Sequence, residues 1–297
     1  MTPEVSVILP VHNRADVLPR AIKSVLDQDF GDLELVVIDD GSTDNSSKVA
    51  ESFGDDRMRV IRLEKNRGGN AARNEGIRAS RGPLIAFIDS DDRYLPNKLA
   101  WVVAEFERRP ELDLIVDSFV KVREPGSRKP EVVRGNPVIN DREQFRTALF
   151  TRQLWKATPA ITVRREIAVK AGMFDESLRR LQDFDFLIRA SKIANCASTD
   201  QVLWVKYWEA NAISVQDNMI PANVELVRRH PEFLRTAAYR PGLAYALRLS
   251  AWRRIRRGDF SGISRDVRTL AQAFGSKEAW RLVWEALWPR RPLYPDS

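Results

Sequence analysis

Along its N-terminal part the chain carries short apolar runs at even spacing. VSVIL (residues 5–9), LELVVID (33–39), MRVIRL (58–63) and PLIAFID (83–89) are rich in β-branched residues and too uniformly apolar to leave one face in water. They predict strands buried on both faces. Between them the period changes: Val17, Leu18, Ala21, Ile22, Val25 and Leu26 fall on one helical stripe, and Val49, Ala50 and Phe53 begin another after the cap-like GSTDNS. NRGGNAARNEG follows the third run as a tight turn opening a helix through Ala79; its backbone amides could receive a phosphate or simply start the helix. A fifth run, LDLIVDSFV (112–120), comes after the helical PNKLAWVVAEFERR. Alternating strands and helices predict an α/β fold with a Rossmann-like, mostly parallel sheet flanked by helices, a fold whose ligands sit beyond the carboxyl ends of its strands.

Past the fifth run the pattern loosens. Residues 123–140, rich in Pro, Gly and charge, suggest a surface excursion. Order returns in ATPAITVRREIAVKAGMFDE and in LQDFDFLIRAS, where Phe184, Leu187 and Ile188 share a face and Asp183 opens the helix, a position where a carboxylate suits the dipole. Cys196 lies in an apparent strand and is expected to be buried and inert. From about Pro221 onward the pattern is helical throughout.

Composition narrows the classes. The chain has 297 residues, 43% of them apolar, which suits a packed core. No run reaches the roughly 18 apolar residues needed to span a bilayer, and the N-terminus lacks the pattern of a secretory signal. A single cysteine fits a reducing compartment, so a cytoplasmic location is expected. With one cysteine and two scattered histidines, His12 and His230, any metal must be held mainly by oxygen. The net charge of +7 is uneven: from Arg228 onward 15 Lys or Arg face 6 Asp or Glu, leaving the preceding residues slightly acidic. Such a basic tail suits an anionic partner or a solvated surface.

Three strand ends concentrate polar chemistry: PVHNR after the first, DDGSTD after the second, and DSDD after the fourth. Neither the G-x-G-x-x-G of a dinucleotide-binding turn nor a P-loop is present. Three carboxylates in four positions, Asp89, Asp91 and Asp92, repel one another unless a cation sits among them, which suggests a metal. Taken alone, the same residues also suit a solvent-facing turn before a helix.

Taken in order, VSVILPVHNRADVLPRAIKSVLDQDFGDLELVVIDDGSTDNS, NRGGNAARNEGI, FIDSDD and GMFDESLRRLQDFDFLIRAS resemble a family 2 glycosyltransferase of the GT-A type, over roughly residues 4–205 and weakly around 118–155. The resemblance implies that Pro10, His12, Asn13 and Asp40 line the nucleotide base and ribose, with Asp40 accepting from a uracil-type imide. Asn66, Gly68 and Arg73 would lie near the base or diphosphate, and Asp89 and Ser90 by the ribose. Asp91, assisted by Asp92, would hold Mn²⁺ or Mg²⁺, and Asp183 would be the general base. It further implies a nucleotide-sugar half at residues 1–117, an acceptor-binding half at 118–220, and a C-terminal helical extension at 221–297.

Two departures stand out. Where many members carry a His in a segment like yRxHxxSiS, this chain reads VKYWEANAISVQ, so Trp208 or Glu209 takes that place and Glu209 is a speculative metal ligand. The Q-x-x-R-W motif of processive synthases is missing, which suggests one sugar per encounter. The expected activity is metal-dependent, inverting transfer of a sugar from a uridine-linked donor to a glycan or lipid-linked acceptor in surface polysaccharide or glycoconjugate synthesis. The rivals are a catalytically silent nucleotide-binding scaffold and a sugar-nucleotide pyrophosphorylase, though the latter's Gly-rich loop after the first strand is not found.

In the tail, Trp280, Val283, Trp284, Leu287 and Trp288 share one helical stripe ahead of Pro289, Arg290 and Arg291, and Arg253, Arg254, Arg256 and Arg257 surround Trp252. The stripe either packs on the catalytic domain or a second subunit, or lies peripherally on the inner face of a membrane. Nucleic acid is not an expected partner, because these aromatics lack the exposed spacing of stacking platforms.

Overall fold

A computed structural model describes residues 2–122, 131–207 and 219–287. The chain divides into two compact units, one of Met1–Phe145, Trp155–Ser177 and Gln182–Glu209, the other of Arg146–Leu154, Leu178–Leu181 and Ala210–Ser297.

The first unit holds nine strands: β1 (Val5–Val11), β2 (Leu33–Asp39), β3 (Met58–Arg62), β4 (Leu84–Phe87), β5 (Arg93–Tyr94), β6 (Leu114–Val122), β7 (Val132–Arg134), β8 (Ile161–Arg164) and β9 (Cys196–Tyr207). They form one sheet in the order β3-β2-β1-β4-β8-β6-β9-β5, with β7 paired to β6. The expected parallel arrangement holds for β3, β2, β1 and β4 and again between β6 and β9, while β8, β5 and β7 run against their neighbours. β6 runs through the expected boundary at residue 117, so both halves share one sheet. Burial on both faces holds for β1, β2 and β4 but not for β3. β3 is an edge strand paired only with β2, and its residues are partly exposed. Of the expected surface excursion, residues 123–130 lie outside the described residues and 132–134 form β7.

Helices of this unit cover the sheet: α1 (Leu18–Leu26), α2 (Ser46–Glu51), α3 (Gly69–Ala79) and α4 (Lys98–Arg108), followed by α5 (Arg142–Phe150), which runs on into the second unit, α6 (Arg165–Lys170) and α7 (Gln182–Ser191). α1 buries Leu18, Ala21, Ile22 and Val25, as its stripe predicts. α3 approaches β1 closely at Gly76, where an added Cβ would lie 2.4 Å from Ile8 Cγ2. Ile8 is fully buried and has no room to yield. Gly76→Ala is therefore expected to cost about 1–3 kcal/mol through overpacking, despite alanine's better helix propensity, read as a lower urea midpoint.

The second unit is helical among its described residues, with α8 (Met219–Arg229), α9 (Glu232–Arg235), α10 (Arg240–Arg256), α11 (Phe260–Phe274) and α12 (Ser276–Leu287). Its interior includes a polar knot: Arg254 pairs with Asp266 at 2.9 Å and Asp259 at 2.5 Å, and Ser250 donates to Asp266. Arg254 is therefore a buried structural residue, unlike the surface arginine its neighbours suggest. Among the described residues the stripe of α12 does not pack within the chain. The helix packs through Ala279, Leu282 and Ala286, while Trp280, Trp284 and Leu287 stay exposed. Small residues let α12 sit close to α10 and α11, which turns the indoles outward. Trp288, Pro289, Arg290 and Arg291 lie outside the described residues. No helix among the described residues is long and apolar enough to cross a membrane.

Candidate active site

The site is assembled at the carboxyl ends of β1, β2 and β4. After β1, Asn13 adopts a left-handed backbone (φ 52°), donates its N–H to Ser42 Oγ at 3.0 Å, and accepts at Oδ1 from the Thr43 N–H at 2.8 Å. His12 Nδ1 lies 2.9 Å from the Asp40 carbonyl. The Asp40 carboxylate accepts from the Arg67 and Gly68 N–H groups, each at 2.8 Å, and Asn66 Oδ1 accepts from Gly68 at 3.0 Å. Two amides that the sequence offers to a ligand are thus held by Asp40, and a carboxylate so engaged keeps lone pairs for a further donor. Gly41 makes this approach possible: it has φ 66°, and a Cβ there would lie 2.6 Å from the Asn66 backbone nitrogen. Pro10, within β1, completes this group beside the β2 end. Asp39 is a turn residue, accepting from the Ser42 N–H at 2.9 Å.

DSDD forms a tight turn after β4, with the Asp92 N–H donating to the Asp89 carbonyl at 3.0 Å. Oxygens of Asp89, Asp91 and Asp92 lie within 4.8 Å of one another, and Ser90 is buried between them in sequence. Side chains distant in sequence hold this turn. Arg73 of α3 donates to Asp89 Oδ1 at 2.6 Å, and Arg20 of α1 donates to the Asp91 carbonyl while its guanidinium stacks 3.6 Å over the Tyr207 ring. From β9, the Tyr207 N–H donates to Asp92 Oδ1 at 3.2 Å and Lys206 Nζ lies 3.6 Å from Oδ2. Burial pushes the Asp92 carboxyl well above the ordinary range, against the pull of Lys206, and Asp91 and Asp89 add to the push. The same three carboxylates raise Lys206.

The donor set fits a hard cation. Its candidate ligand atoms are all carboxylate oxygens, and the buried Asp92 Oδ2 has no hydrogen-bond partner within normal distance among the described residues, Lys206 Nζ being 3.6 Å away. That set suits Mg²⁺ or Mn²⁺ rather than zinc. Lys206 and Arg73 offset part of the negative charge of this cluster. Glu209 and Trp208 lie outside the described residues.

Asp183 sits in the first turn of α7, its Oδ1 accepting from the Phe184 N–H at 2.7 Å. Burial raises its carboxyl; Lys156 and Arg73 draw it down, and Asp89 pushes it up. The Arg73 and Asp89 that meet at the DSDD turn thus both act on the Asp183 carboxyl. Packing explains the juxtaposition. Phe174 meets Phe87 of β4 edge-on at 5.3 Å and stacks on Phe186 of α7 at 4.8 Å, with the Arg73 guanidinium 5.8 Å above its ring. The loop carrying Phe174 is tied to α3: Asn74 exchanges hydrogen bonds with the Phe174 backbone at 2.8 and 2.9 Å, and Asn70 donates to the Asp175 carbonyl at 2.9 Å. Arg189 of α7 bonds Asp185 at 2.7 Å and the Met173 carbonyl at 2.7 Å, fixing the helix against the same loop. Lys156 sits 4.1 Å over the Phe184 ring.

Arg20, Asn70, Asn74, Lys156, Lys206 and Tyr207 are the site residues that sequence reasoning passes over. Asn70 and Asn74 had a signal, lying four apart in the Gly-rich segment on the face that buries Arg73. The others had none, since each reaches the site from an element with its own structural reason for being polar.

A family model described as Glycosyl transferase family 2 matches residues 6–168, a span that ends before Asp183. Over 252 residues the chain is 29% identical to an uncharacterized glycosyltransferase, EpsJ, of Bacillus subtilis, covering 82% of this chain and 66% of EpsJ. The succinoglycan biosynthesis protein ExoO of Rhizobium meliloti is 43% identical over 97 residues, which is 33% of this chain and 28% of ExoO. The matched span amounts to 66%, 60% and 63% of the lengths of three curated relatives. Among solved structures, S. aureus TarS in complex with UDP-GlcNAc superposes with TM-score 0.64 at 18% identity, over 95% of this chain and 91% of that one. The mannosyltransferase PcManGT from Pyrobaculum calidifontis, in complex with GDP-Man and Mn²⁺, gives 0.61 at 15% identity, over 98% and 89%. These likenesses establish a GT-A type fold, and with the match over more than half its length the chain belongs to glycosyl transferase family 2.

Proposed function

We propose that the chain transfers a single sugar, with inversion, from a nucleotide donor to a glycan or lipid-linked acceptor, in surface polysaccharide or glycoconjugate synthesis. The observation that supports this reading is the packing of Phe174 between Phe87 of β4 and Phe186 of α7, with Arg73 over its ring and bonded to Asp89, which sets the helix whose first turn carries Asp183 against the strand that leads into the DSDD turn. A sugar nucleotide needs no protonated acid for its leaving group, unlike a glycoside, so one carboxylate base and an electrophilic clamp on the diphosphate suffice. Asp183 takes the acceptor hydroxyl's proton as that oxygen attacks the anomeric carbon. The diphosphate leaves from the opposite face, and the anomeric configuration inverts.

The strand-end group of Pro10, His12, Asn13, Asp40, Asn66 and Gly68 receives the base and ribose, with Asp40 using a free lone pair toward a uracil-type imide. Arg73 is nearly buried and its Nε has no hydrogen-bond partner among the described residues, which leaves a donor for the ribose or diphosphate side. Asp91, with Asp92 and Asp89 beside it, would hold Mn²⁺ or Mg²⁺; when bound, the ion supplies charge stabilisation to the departing diphosphate. A uridine donor and a divalent ion are also consistent with the UDP-GlcNAc bound to TarS and the Mn²⁺ bound to PcManGT. The links to succinoglycan biosynthesis proteins favour a polysaccharide acceptor, and the single cysteine favours cytoplasmic action.

Calorimetry with a panel of nucleoside diphosphates tests the donor site. UDP is expected to bind best with Mn²⁺ present, and Asp91→Ala to weaken it on the order of tenfold, about 1.4 kcal/mol. Equal affinity with and without Mn²⁺ removes the metal assignment.

A further inference from the structure

On one side α10 hides a face of Leu243, Leu247, Ser250 and Arg254. On the other, Arg248, Trp252, Ile255 and Arg256 follow at i, i+4, i+7 and i+8, which places them together on the outer surface. Trp252 is 51% exposed and Ile255 54%, and Phe260, just beyond the helix, is 67% exposed. The Arg256 guanidinium lies 3.7 Å over the Trp252 ring. Asp259 and Asp266, the acidic residues of this helical hairpin, are both engaged by Arg254 from within. Of the outer arginines, Arg253 and Arg256 are exposed and Arg248 is half-buried 5.3 Å over the Tyr245 ring, and none of the three has an acidic partner from the hairpin among the described residues.

We propose that this outer face of α10 docks on an anionic lipid surface. Trp252 and Ile255 would enter the interfacial layer, where an indole's apolar body and polar N–H both find partners, and the three arginines would meet headgroup phosphates. Charge decides among occupants. A second copy of the chain docking by the same face would set arginines against arginines with nothing to offset them. A nucleic acid would match the arginines but leave Ile255 and Phe260 in water. An anionic bilayer satisfies both sets at once. Trp280 and Leu287 of α12 are exposed as well. The inference is independent of the transfer reaction, and it would hold the enzyme where a lipid-linked acceptor resides.

Sedimentation of the full chain with vesicles tests it directly. Binding is expected to vesicles containing phosphatidylglycerol, to be absent from pure phosphatidylcholine, and to fall as salt is raised. A variant with Arg248, Arg253 and Arg256 all changed to Gln should bind roughly a hundredfold more weakly, at about fivefold per arginine near the surface. Trp252→Ala with Ile255→Ala should also release the protein from vesicles while leaving its thermal melt unchanged, since both side chains are exposed. The proposal is overturned by equal binding to both vesicle types, or by binding that neither variant alters. It is equally overturned by self-association in light scattering that Trp252→Ala abolishes without lipid binding, or by preference for an oligonucleotide over vesicles.

Discussion

Asp183→Asn is expected to lower sugar transfer by about a hundred to ten thousandfold while the dissociation constant for UDP with Mn²⁺ changes little. Asparagine keeps the shape of the side chain and an oxygen to accept the Phe184 N–H, so α7 should retain its start. What it loses is the ability to take a proton. Donor binding depends on β1, β2 and the DSDD turn and should survive. A second readout follows from the raised Asp183 carboxyl. Because the folded state favours its protonated form, any stability it contributes is complete below the ordinary carboxylate range and is lost as pH rises through the raised value. Asparagine cannot ionise and carries no such loss. The variant's melting temperature should therefore gain on wild type as pH goes from acid to neutral, measured across a buffer series. A variant that transfers sugar at the wild-type rate removes Asp183 as base, and wild-type protein that shows no donor turnover at all favours the silent scaffold.

Asp117→Ala is expected to destabilise the fold by about 3–5 kcal/mol at neutral pH, read from the urea midpoint. Lys98 of α4 and Asp117 of β6 form an ion pair in which both side chains are fully buried. Burial pushes the Asp117 carboxyl up to about 7 and the Lys98 ammonium down, each opposed by its partner. Removing the carboxylate strands an ammonium whose remaining neighbour is the Tyr94 ring at 4.8 Å. Lysine can shed that charge by losing its proton, so the variant's deficit should shrink as pH is raised. Replacing both partners by apolar residues, Lys98→Met with Asp117→Leu, should recover most of the loss. The effect reaches the site through position. α4 follows directly from the DSDD turn, and Tyr94 between them donates to the Phe87 carbonyl at the end of β4 at 2.5 Å.

Much of the architecture was legible in the apolar pattern because a strand buried on both faces leaves few polar positions to confuse the period. β1, β2 and β4 satisfy that condition, and so does the stripe of α1. β3 misled in part for a tertiary reason: Arg59 and Arg62 interrupt its run, and its edge position is set by pairing, which no local window contains. The indoles of α12 did not decide their own partner. Their spacing describes a face, yet closeness to α10 and α11 goes to the small residues Ala279 and Ala286 on the other side.

The sequence by itself placed Asp40, Asp89, Asp91 and Asp92 in turns after parallel strands, because the apolar runs mark where each strand ends, and the ligands of such a sheet sit beyond those carboxyl ends. The tertiary structure alone decided how that charge is managed. Arg73 bonds Asp89, Lys206 faces Asp92, Arg20 holds the Asp91 carbonyl, and Asp183 feels Asp89 and Arg73 from another helix. Electrostatic coupling depends on distance in space, and residues separated by a hundred positions or more, such as Asp92 and Lys206, acquire that distance only when β9 pairs into the sheet beside the turn.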